Sequence, residues 1–152
     1  MSDHPTEVPR VRNRLLGSWL QAGYTGHLGL RADGQNLRAV ERFGTRTGRW
    51  VKLPGLRVAR SGFQAAVVRG RVIAVGGEQL AEGDQTIAPV ELYQPRRKRW
   101  RRLAAMRTPR HGLGVASLGR RIFAVEGGPQ PGFSFSGALE FLDVPRRALR
   151  GR

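Results

Sequence analysis

The sequence has no cysteine, only two lysines (Lys52 and Lys98) and no long hydrophobic run. Without thiols there can be no disulfide framework, thiolate metal site or cysteine nucleophile. No stretch approaches the roughly 20 apolar residues of a membrane-spanning helix. The short, broken apolar run from Leu15 to Leu20, behind Arg10, Arg12 and Arg14, is too small for a signal-peptide core. A cytoplasmic protein without membrane association is therefore expected. Acids are also scarce, 11 against 27 basic residues in a chain of 152.

The resulting net charge of +16 is almost entirely arginine, and a field of that size attracts polyanions whatever the fold. The arginines recur along the whole chain instead of forming one tract, which is what a coding bias would produce. Short apolar runs are separated by 21 glycines and nine prolines. Many short strands joined by turns suit that pattern, so the expected class is all-β.

The chain repeats itself at a spacing of 50 residues. Val40-Glu41 falls on Val90-Glu91, Trp50 on Trp100, Arg60 on Arg110, Gly62 on Gly112 and Ala74-Val75 on Ala124-Val125. Of the 38 positions from Val40 to Gly77, 14 are identical to their partners without any gap. A third copy begins at Leu139-Glu140, one residue short of the period, and puts Leu149 in the tryptophan slot. Such self-similarity marks a repeat architecture.

Each unit reads as four strands. Two nearly all-apolar runs, Phe63 to Val68 and Val72 to Val75, are expected to be buried on both faces, as are Leu113 to Leu118 and Ile122 to Val125. Gly76-Gly77 and Gly127-Gly128 close these pairs. A polar loop leads to an alternating third strand, Pro89 to Tyr93 or Ala138 to Asp143, and a basic turn leads to a fourth, Trp100 to Leu103.

The order Val75-Gly76-Gly77, loop, Val90-Glu91-Leu92-Tyr93-Gln94-Pro95 and Trp100 resembles the kelch repeat. The resemblance covers about Gly34 to Asp143. It implies an incomplete kelch-type β-propeller of four-stranded antiparallel blades, with Gly76, Gly77, Gly127 and Gly128 as tight bends and Tyr93, Trp50 and Trp100 packing between blades. The first unit departs with Phe43 for the tyrosine, and the third with Leu142 and Leu149 for the tyrosine and tryptophan. The expected organisation is an irregular or weakly helical segment 1–33, with Val11, Leu15, Leu16 and Trp19 on one helix face, then a partial blade 34–59, a complete blade 60–106 and a blade 107–152 with a truncated last strand. Trp50 and Trp100 should occupy equivalent inter-blade positions.

The resemblance also implies where partners bind: the loops after the glycine pairs and those between blades. Glu78, Glu82 and Asp84 occupy the first such loop, and Phe133 and Phe135 the second. The expected role is a non-enzymatic scaffold that binds a protein partner, as yet unspecified. A second reading uses Arg96, Arg97, Lys98 and Arg99 around Trp100 for non-specific nucleic-acid or polyanion binding, the arginines pairing with phosphates and the tryptophan stacking on a base. The repeat register favours a packing role for Trp100 and a solvated turn for the arginines. A third reading is a sugar-binding or mutarotase-like kelch protein.

Other chemistry finds no support in the sequence. His4, His27 and His111 are isolated, and the copper site of the kelch-like galactose oxidase has no counterpart, since there is no cysteine to crosslink its tyrosine. No nucleophile triad, paired carboxylates or phosphate loop stands out. No catalytic, metal or cofactor site is expected. About two and a half blades leave faces uncovered, so the chain is expected to be a homo-oligomer that covers them or a marginal fragment with frayed ends.

Overall fold

The computed structural model describes residues 18–22, 36–44, 46–80 and 83–150. It is all-β apart from two short helical turns, and its sheets are antiparallel. The first sheet has the order β1 (Ser18–Ala22), β2 (Val40–Gly44), β3 (Arg49–Leu53). The second is four-stranded. It contains β4 (Gln64–Val68), β5 (Arg71–Val75), β8 (Val90–Gln94) and β9 (Arg99–Arg102), in that order. The third runs β10 (Gly114–Leu118), β11 (Arg121–Val125), β12 (Leu139–Asp143). A small hairpin, β6 (Glu78–Gln79) with β7 (Gln85–Thr86), interrupts the second sheet. A single helical turn, α1 (Arg146–Leu149), follows β12.

The 50-residue spacing reappears as register. Val75 pairs with Val90 and Ile73 with Leu92, and one sheet on Val125 pairs with Leu139 and Phe123 with Phe141. In the same way Phe43 stands opposite Trp50 and Tyr93 opposite Trp100. The two aromatic pairs have ring centroids 5.0 and 5.2 Å apart, each tilted by 46°.

The second sheet is the middle layer. Val72, Ala74, Tyr93 and Trp100 on one face join Val40 and Leu56 in one core cluster. Val68, Ile73, Val75, Val90 and Leu92 on the other face join Leu113, Ile122, Ala124, Val144 and Ala148 in a second. This two-sided burial explains why β5 is almost continuously apolar, while strands with a wet face alternate. The edge strands β4 and β10 lie side by side, where the Ser117 hydroxyl donates to the Val67 carbonyl at 2.8 Å.

Three expectations differ from the structure. Segment 1–33 is not wholly irregular or helical, because Ser18–Ala22 is a strand paired with Val40–Gly44, so Trp19 lies in a strand; Val11, Leu15 and Leu16 lie outside the described residues. The first sheet therefore has three strands where two were expected. At the other end, among the described residues, the expected stub of a fourth strand after β12 is a helical turn: Leu149 belongs to α1 and packs with Val144 and Ala148 on the second core cluster. At that end the Val144 amide donates to the Arg120 carbonyl at 2.9 Å and an Arg120 guanidinium N–H returns to the Val144 carbonyl at 3.0 Å. The two tryptophans are equivalent in register but not in burial: Trp100 is 4% exposed and Trp50 50%. Trp100 lies between two sheets and donates its indole N–H to the Pro54 carbonyl at 2.7 Å. Trp50 faces outward at the end of the stack.

Candidate functional site

Gly76-Gly77 and Gly127-Gly128 end the second strand of their sheets. At Gly77, φ is 116°, and a Cβ would lie 2.6 Å from the Ser61 carbonyl oxygen. At Gly127, φ is 90°, and a Cβ would meet the His111 carbonyl at the same distance. Only glycine fits such a left-handed, crowded bend. The bends let the chain form matching isolated bridges, Ser61 with Glu78 and His111 with Gly128, and send the following loops to one end of the stack.

Beneath those loops one arginine–glutamate pair joins each of the last two sheets to the linker that precedes it. The Arg60 guanidinium donates to the carbonyls of Gly76 and Pro89 at 3.0 and 2.8 Å and pairs with Glu91, both side chains being wholly buried. Glu91 also accepts from the amides of Arg57 and Val58. Arg110 reproduces the set: it donates to the carbonyls of Glu126 and Ala138 at 2.6 and 2.8 Å and to Glu140 at 3.1 Å, while Glu140 accepts from the amides of Arg107 and Thr108. Burial lowers the pKa of Arg60, and the Glu91 charge and hydrogen bond oppose that shift. For Glu140 burial acts to raise the pKa, but the two amides and Arg110 outweigh it and hold the carboxyl below its usual range. These ion pairs bind each inter-sheet linker to its sheet and are structural. The sequence signal for them was the recurrence of Arg60 on Arg110 and of glutamate at positions 91 and 140.

At the loop end, the three predicted acids do not act together. Glu78 is turned inward and is 4% exposed, with its carboxylate 3.5 Å from Nδ1 of His111. Asp84 is exposed in the turn between β6 and β7, with φ 40°, and Glu82 lies outside the described residues. Phe133 and Phe135, by contrast, are 110% and 91% exposed. Their loop is tethered from beneath. The Gln130 amide donates to the Ser134 hydroxyl, the Gln130 carbonyl accepts from His111 Nε2 at 3.0 Å, the Ser136 hydroxyl donates to the Gly127 carbonyl at 3.0 Å, and the Thr86 hydroxyl donates to the Pro129 carbonyl at 2.8 Å. An open cleft of about 570 Å³ lies beside Phe135, lined by His111, Gly127, Gly128, Ser134 and Ser136.

Arg96, Arg97, Lys98 and Arg99 are exposed, in and after a 3₁₀ turn (Pro95–Arg97) that joins β8 to β9. Because β8 runs away from the glycine loops, this turn lies at the opposite end of its sheet. Trp100, the aromatic within the basic run, is buried and cannot stack on a base. Among the described residues there is no group of three or more His, Cys, Asp or Glu arranged to hold a metal ion, and no helix long and apolar enough to cross a membrane.

No family model and no curated protein matches the chain. Among solved structures, one titled "Structure of YjhT" is similar, with a TM-score of 0.70 and 17% identity over 84% of this chain and 46% of that chain. The protein thus spans about half the length of that neighbour. At such identity the likeness is one of fold.

Proposed function

We propose that the protein is an incomplete kelch-type propeller, cytoplasmic and non-enzymatic, whose loop end binds a protein partner. One observation carries the reading: Phe133 and Phe135 project fully into solvent from a loop held by side-chain hydrogen bonds. Large exposed aromatics on a fixed platform are the usual anchors of protein interfaces, and binding residues concentrate on loops positioned by a rigid scaffold. The 50-residue register and the glycine bends support the kelch reading. The test is affinity capture from the source cell with wild type and Phe133→Ser/Phe135→Ser. A partner held by the wild type at moderate and high salt but lost from the double variant is expected; equal capture by both would overturn the reading.

The exposed turn Arg96 to Arg99 favours a second activity, non-specific polyanion binding. It should weaken steeply with salt, and it should survive the double phenylalanine variant.

A further inference from the structure

The last sheet turns outward a face whose counterparts are buried. Leu118, Val125, Leu139 and Phe141 are 75%, 37%, 63% and 60% exposed. One repeat earlier their places are taken by Val68, Val75, Val90 and Leu92, which are 1%, 1%, 4% and 0% exposed because the next sheet covers them. At the opposite end of the stack Trp50 is half exposed, whereas Trp100 in its register is sealed.

We propose that a second copy of the chain covers the last sheet, laying its Phe43–Trp50 face on Leu118, Val125, Leu139 and Phe141, so that two copies associate head to tail. The molecule itself shows what covers such a face. Tyr93 and Trp100 of the middle sheet close over Val40 of the first, and Phe43 with Trp50 reproduces that aromatic pair in spacing and tilt. Leu139 stands at the register place of Val40 and Val90, so Trp50 of the second copy meets an apolar side chain where Trp100 meets one. The chain also spans 46% of the similar solved chain, and two copies supply close to that full length. The two faces differ, so the contact is heterologous and each copy contributes one of each; in a pair, the second contact closes the assembly. Copies with a charge of +16 repel, so association through this apolar contact should strengthen as salt rises. The inference rests on the stacked-sheet reading and not on the loop-end partner, so each can fail alone.

The test is sedimentation of the full chain across a micromolar concentration series. Wild type should be a dimer. Trp50→Glu and Phe141→Glu should each weaken association by at least about 30-fold, as loss of a buried aromatic anchor does. Leu118→Glu provides a second tail variant should Phe141→Glu lose its β circular dichroism. A monomeric wild type, a Trp50→Glu or Phe141→Glu variant that stays dimeric, or trimers and longer chains would each overturn the pairing. A monomer that still captures its partner through Phe133 and Phe135 would leave the scaffold reading intact. A dimer with no partner dependent on those residues would do the reverse.

Discussion

The guanidinium of Arg60 and the carboxylate of Glu91 are paired inside the middle sheet with both side chains fully buried. Removing one partner leaves an uncompensated buried charge, which typically costs about 3–5 kcal/mol. Arg60→Met and Glu91→Ala should therefore each lower stability by that order in urea denaturation. The double variant should cost less than the sum, because the second change removes the charge stranded by the first.

The pair one sheet on gives a pH dependence. The folded-state pKa of Glu140 is depressed below its ordinary value of 4.5. A depressed carboxyl contributes stability that is present above the unfolded pKa and lost as pH falls through the folded one. Urea midpoints should hold above about pH 5 and decline as the pH falls below the ordinary glutamate range. In Glu140→Gln the neutral level should be lower and the acid decline shallower; an unchanged acid slope would remove Glu140 from the effect.

Trp50 and Trp100 share a strand position but not an environment. Trp100→Ala should destabilise by about 3–5 kcal/mol, as large-to-small core changes at aromatic sites do. Trp50→Ala should cost about 1 kcal/mol or less in the monomer. Equal losses, measured by chemical denaturation at the lowest workable concentration, would place both residues in the same kind of interface.

Phe133→Ser/Phe135→Ser should leave stability nearly unchanged, each substitution counting for about 0.5 kcal/mol or less, because neither ring is buried. A large fall by differential scanning calorimetry would mean that the rings fill a core and are not free to meet a partner.

Much of the architecture was legible because the repeat spaces its residues identically: Tyr93 before Trp100, the glycine pairs, and the apolar runs of β4, β5, β10 and β11. The first strand was not. In β1 Ala22 stands where Val75 and Val125 stand in theirs, followed by Gly23 as Val75 is by Gly76, but segment 23–39 is longer than 76–89 and moved that signal out of the fixed spacing. The helical turn that ends the last repeat was not legible either, for a backbone reason. After Pro95–Arg97, Lys98 adopts φ 47° and turns the chain back into β9, whereas Arg146–Leu149 continues as a helical turn. Leu149 still covers the second core cluster, by a different route. Of the candidate site residues, Phe133 and Phe135 are exposed, whereas Glu78 meets His111 from another repeat, a contact that linear spacing cannot reveal.

Native-state hydrogen exchange tests the three-layer stack most directly, since protection follows burial and local stability. The amides of β5 (Arg71–Val75) and β8 (Val90–Gln94), sealed on both faces, should exchange most slowly, and those of β2 (Val40–Gly44) and β12 (Leu139–Asp143) faster. Equal or faster exchange in β5 and β8 than in the outer sheets would contradict a middle sheet buried between two others.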